Sequence, residues 1–140
     1  MQLNQIDWDL FVGMLRAEIY RASRYNCPFT LMRIELKRPS RYAVRFVARY
    51  LSDQTRLIDF GLAIGESEFL LYLPYTDIGG AAALARRIEQ AMEEFEPVST
   101  VAKFLDNGET IFELFAAVGA SREARSALVN LEELARPTAR

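Results

Sequence analysis

The chain has 140 residues, 51% hydrophobic and 26% charged, with a net charge of −2. This balance fits one compact domain, 1–140, and excludes a disordered or fibrous chain; the charge argues against a nucleic-acid surface. With no histidine and one cysteine, Cys27, the usual general base, the commonest transition-metal ligand and any internal disulfide are missing, and Cys27 reads as an inert thiol.

In chain order, apolar residues at Trp8, Phe11, Leu15, Ile19 and Ala22 predict a helix over 6–26, which Asn26 ends. The apolar run Phe29–Leu36, closed by Lys37, Arg38 and Pro39, predicts a buried strand. Pro39 then suits the first turn of a helix to about residue 55, with Val44, Val47, Ala48 and Leu51 inward. Runs 59–64 and 68–73 flank Gly65, Glu66 and Ser67 and predict a β-hairpin.

A turn at 75–80 leads into a helix to about residue 95, with Ala81, Leu84, Ala85, Ile88, Met92 and Phe95 on one stripe. Residues 98–105 predict another strand, ended by Asp106, Asn107 and Gly108, and Thr110 caps a helix running towards Gly119. The tail 127–132 is either an edge strand or a helix, stopped by Pro137. This order predicts an α/β (α+β) sandwich, a mostly antiparallel sheet flanked by helices. The longest apolar stretches, Phe69 to Pro74 and Ile111 to Gly119, fall short of the roughly 20 residues of a membrane span. The N-terminus lacks the pattern of a secretory signal, so a cytoplasmic location is expected.

The run Glu18, Arg21, Ala22, Arg24, Tyr25, then Pro28, Phe29, Thr30, Leu31, resembles the lead-in helix and first strand of GGDEF domains, the palm-like fold of diguanylate cyclases. The hairpin Gly65-Glu66-Ser67-Glu68-Phe69 resembles a degraded GGDEF signature, followed at the family's spacing by Leu73-Pro74, Thr76, Ala81, Leu84, Ala85, Arg87 and Ile88. In that family the hairpin binds GTP phosphates and metal. Here Glu66 replaces the second glycine and Ser67 the acidic ligand; Glu35 stands at the first metal-binding Asp, but Lys37 replaces the second. The segment between Glu35 and Gly65 is shorter than in cyclases by roughly ten residues and lacks the guanine-reading Asn and Asp. The resemblance therefore implies a chain with no catalytic residues, no bound metal and no enzymatic activity.

Arg56-Leu57-Ile58-Asp59 is an RxxD sequence with five residues between Asp59 and Gly65, where the family places its inhibitory product site. Arg87 falls on that site's second arginine. The resemblance implies cyclic di-GMP as ligand, bound by Arg56, Asp59 and Arg87, with no other cofactor. Chemically, a guanidinium fork pairs with guanine O6 and N7 or with phosphate, and a carboxylate accepts from guanine N1 and N2. The alternative is a surface ion pair between Arg56 and Asp59.

Arg38, Arg41, Arg45 and Arg49 form a basic stripe, either a solvated face partly neutralised by Asp53 or an approach for an anionic nucleotide. Tyr42, Phe46 and Tyr50 form a second apolar stripe, either core or a protein contact, through an unidentified partner or a homodimer. Gly79-Gly80 reads as turn chemistry rather than a phosphate site. The implied function is a non-catalytic cyclic di-GMP receptor acting through protein contacts; the alternative is an interaction or dimerisation module that binds no nucleotide.

Overall fold

The computed structural model describes residues 8–54, 60–126 and 128. Its elements run α1 (Trp8–Tyr25), β1 (Phe29–Leu36), α2 (Arg41–Gln54), β2 (Phe60–Ile64), β3 (Glu68–Pro74), α3 (Ile78–Ala91), a 3-10 turn (Glu93–Phe95), β4 (Pro97–Lys103) and α4 (Ile111–Ala117). Among the described residues the sheet order is β2-β3-β1-β4, and each neighbouring pair is antiparallel. From β1 to β4 the chain thus reads β-α-β-β-α-β, with β3 inserted between β1 and β2. The expected α/β sandwich is what forms.

Strand alternation divides the core into two layers. Phe29, Leu31, Leu62, Ile64, Leu70, Tyr72 and Ala102 face Phe11, Val12 and Leu15 of α1, Leu114 and Phe115 of α4, and Ala120, Ala124 and Leu128 beyond it. On the opposite face Met32, Ile34, Leu36, Phe69 and Leu71 meet Ala43, Val47 and Leu51 of α2 and Ala81, Leu84 and Ile88 of α3. β1 and β3, paired on both sides, are buried almost throughout, which is why they read as runs rich in apolar residues.

Several local expectations need correction. α2 begins at Arg41, not at Pro39: Ser40 caps it, its Oγ accepting from Ala43 N at 3.0 Å. Of the expected inward residues of α2, Val47 and Leu51 are buried, Ala43 joins them, and Val44 and Ala48 are half-buried. α3 ends at Ala91, and the 3-10 turn carries Phe95 into the core. The tail is helical over 122–126, its first turn capped by Ser121 Oγ accepting from Ala124 N. The 4-residue spacing of Ala120, Ala124 and Leu128, all buried, selects helix over strand there. Residues 129–140, including most of the expected tail element and Pro137, lie outside the described residues. No helix among the described residues is long and apolar enough to cross a membrane.

Candidate functional site

Alternation along β1 puts Arg33 and Glu35 on the sheet face that α1 and α4 cover, and the β1–β3 register sets Glu35 directly opposite Glu68. Two carboxylates facing each other across a ladder repel. Arg33 resolves the conflict. Its Nε donates to Glu68 Oε2 at 2.5 Å and its Nη1 lies 2.9 Å from Glu35 Oε2. Ser121 N also donates to Glu68 Oε2 at 2.9 Å, and Lys37 Nζ donates to Glu35 Oε1 at 2.9 Å. Glu68 is 4% exposed, and its Oε1 has no hydrogen-bond partner among the described residues.

These contacts set the ionisation. The Lys37 bond holds the Glu35 carboxyl below the usual carboxylate range against the opposing effect of burial, with Arg33 adding to it. Burial alone would lower the Arg33 pKa, but the bonds from Glu68 and Glu35 leave it raised. Because the Glu35 pKa is depressed by folding, its contribution to stability is present above the ordinary carboxylate pKa and lost as pH falls through the lowered one.

A magnesium ion does not fit this pair. Such an ion needs several free oxygen ligands, whereas here two carboxylates already meet a guanidinium and an ammonium, and Ser67 stands where an acid would be needed. Among the described residues no group of three or more acidic or cysteine side chains could hold a metal. The hairpin is otherwise intact: Gly65 takes φ 62°, Ser67 O accepts from Leu36 N at 2.7 Å, and Glu66 is exposed with its carboxylate 4.0 Å from Arg41. The sequence reading missed Arg33. Its signal was an arginine at an inward position of an otherwise apolar strand, two residues from an acid.

A separate cavity of about 380 Å³ opens between the end of α2 and the start of α3, with Gln54, Tyr75, Asp77, Gly80 and Arg87 on its wall. Arg87 is exposed on α3, and its carbonyl accepts from Tyr50 Oη at 3.3 Å. Arg56 and Asp59 lie outside the described residues. Gln54, on the cavity wall, precedes Arg56 by two positions in the chain. Tyr75, at φ 53°, accepts from Arg21 Nη1 at 2.8 Å, and that guanidinium stacks 4.5 Å above its ring. Gly79-Gly80 belong to the first turn of α3, not to a turn ahead of it as expected, because Asp77 caps the helix earlier: its Oδ1 accepts from Gly80 N at 2.9 Å, so a carboxylate already occupies the N-terminus of α3.

Ahead of α2, Arg38 pairs with Glu96 at 3.1 Å, while Arg45 and Arg49 on the helix are exposed. The aromatic stripe divides. Phe46 and Tyr50 pack against the core, Phe46 meeting Phe95 edge-on at 5.7 Å, whereas Tyr42 stays 64% exposed although it also touches Phe95 at 5.9 Å. Phe46→Glu is therefore expected to lower stability by about 2–3 kcal/mol, since it puts a charge at a packed ring position. Tyr42→Glu should stay within about 0.5 kcal/mol. Chemical denaturation of both variants checks the contrast, and equal losses would contradict it.

No family model matches the chain, and no curated protein does. Solved structures do. The active GGEEF domain of a diguanylate cyclase from Vibrio cholerae is 17% identical with a TM-score of 0.73, over 97% of this chain and 94% of that one. A sensory box/GGDEF family protein from Caulobacter crescentus is 19% identical with a TM-score of 0.67, over 91% of this chain and 92% of that one. The GGDEF domain of DgcB from Caulobacter crescentus, solved with c-di-GMP, is 14% identical with a TM-score of 0.63, over 91% and 83%. From β1 through the hairpin to α3, and across nearly its whole length, this chain has the fold of GGDEF domains.

Proposed function

We propose that this chain is a degenerate GGDEF-fold domain that makes no cyclic di-GMP but binds it, at Arg56, Asp59 and Arg87, and passes the signal to a protein partner in the cytoplasm. The observation that carries the reading is the exposed Arg87 on a cavity that Gln54, two positions before the RxxD sequence, also lines. A cavity of about 380 Å³ is in the range of small-ligand sites. Tyr75 adds an aromatic ring, and the arginines supply charge for a dianionic nucleotide. The Glu35–Arg33–Glu68 arrangement supports the non-catalytic half of the reading, because phosphoryl transfer relies on metals and positioning.

Two measurements test it. With GTP and Mg²⁺ or Mn²⁺, chromatography should show no cyclic di-GMP above background, and the double variant Glu66→Gly with Ser67→Asp should remain inactive because Arg33 still engages both carboxylates. Turnover by either protein would refute the non-catalytic reading. Titration with cyclic di-GMP separates the receptor from a pure interaction module, which would bind no nucleotide and would work through its surface alone.

A further inference from the structure

We propose that the Arg33 guanidinium occupies the place of a divalent cation at the Glu35–Glu68 pair, closing that pair to metal in this chain, and that removing it uncovers a cation site. The proposal goes beyond the receptor reading, and its test is independent of nucleotide binding.

The register forces two carboxylates into one spot on a covered sheet face, and such a pair persists only with positive charge beside it. Lys37 supplies part of that charge to Glu35 from the solvent side; on the Glu68 side a guanidinium or a bound cation can supply it. Arg33 reaches one oxygen of each carboxylate, 2.5 Å to Glu68 and 2.9 Å to Glu35, and stays protonated at any working pH. Its two contacts with Glu68 and Glu35, plus the Ser121 N–H, still leave Glu68 Oε1 buried without a partner among the described residues. That oxygen is an acceptor facing no donor, and the inner sphere of a hard cation would satisfy it. Lys37, 52% exposed, holds the other Glu35 oxygen from the solvent side, where water can replace it. With Arg33 shortened, the pair presents two carboxylates and room for water, the ligand set by which Mg²⁺ and Mn²⁺ are commonly held.

The test measures Mn²⁺ uptake by electron paramagnetic resonance, beside thermal unfolding with and without MnCl₂. The wild-type protein should leave the free Mn²⁺ signal unchanged, and its midpoint should not move. Arg33→Ser should bind one Mn²⁺ per chain, about tenfold or more tightly than wild type, and unfold at a higher temperature when Mn²⁺ is present. Arg33→Gln, which keeps more of the side-chain volume, serves if Arg33→Ser is poorly folded without metal. Adding Glu35→Gln to either should abolish the uptake. Stoichiometric Mn²⁺ binding by the wild type that Glu35→Gln removes would overturn the proposal. So would folded Arg33→Ser and Arg33→Gln proteins that take up no Mn²⁺, or a failure of both to fold even at saturating Mn²⁺.

Discussion

Arg33→Ala is expected to cost about 3–5 kcal/mol in metal-free buffer. The magnitude follows from what remains behind. Glu68, 4% exposed, keeps one bond from Ser121 N but loses the charged partner Arg33, and it faces Glu35 across the strand pair. A carboxylate so placed must either stay charged without compensation or take up a proton. Glu68→Gln should cost less, since the amide keeps an acceptor for Ser121 N and Arg33 retains Glu35. Denaturant unfolding of the two variants at neutral pH measures both. A loss below about 1 kcal/mol for Arg33→Ala, as for a surface pair, would show that the guanidinium is not holding the site together.

Arg56→Ala is expected to weaken cyclic di-GMP binding by about 2–3 kcal/mol, a rise in Kd of roughly 30- to 150-fold. The substitution removes a charge-assisted fork that pairs with a guanine edge or a phosphate, and no uncharged side chain replaces that geometry. Asp59→Ala should weaken binding through the loss of an acceptor for guanine N1 and N2, and Arg87→Ala should cost less than Arg56→Ala. Affinity should fall with added salt, as expected for a polyanion meeting arginines. Calorimetry on the three variants gives the ranking, and an Arg56→Ala protein that binds as well as the parent would refute it.

Much of this fold was legible because its signals are local. The runs of β1 and β3, the hairpin at Gly65 and the stripes of α1 and α3 each follow from a period of two or of 3.6, and the Thr110 cap from its side chain, which accepts from Glu113 N at 3.1 Å. The start of α2 was misplaced because Pro39 and Ser40 both suit a helix entry, and the Ser40 hydroxyl, bonded to Ala43 N, decides in favour of the later start. The tail was ambiguous because its order comes from joining a core cluster with residues on distant strands, Leu62, Ile64 and Leu70 among them.

The site was legible only in halves. The proposed loss of a metal centre rests on the GGDEF resemblance at Glu66, Ser67 and Lys37, whereas the role of Arg33 depends on the register that sets Glu35 against Glu68, a pairing of residues 33 apart in the chain. For the proposed nucleotide site, the structure places Arg87 at a cavity and leaves Arg56 and Asp59 outside the described residues, so sequence position still carries that proposal.

Calorimetric titration of the wild-type protein with cyclic di-GMP, run beside GTP at low salt, tests the receptor reading most directly. The account predicts saturable heat with two nucleotides bound per site and a rise in melting temperature, against no saturable signal from GTP. Absence of heat and of stabilisation with cyclic di-GMP in excess, or binding of GTP with equal affinity, would contradict it.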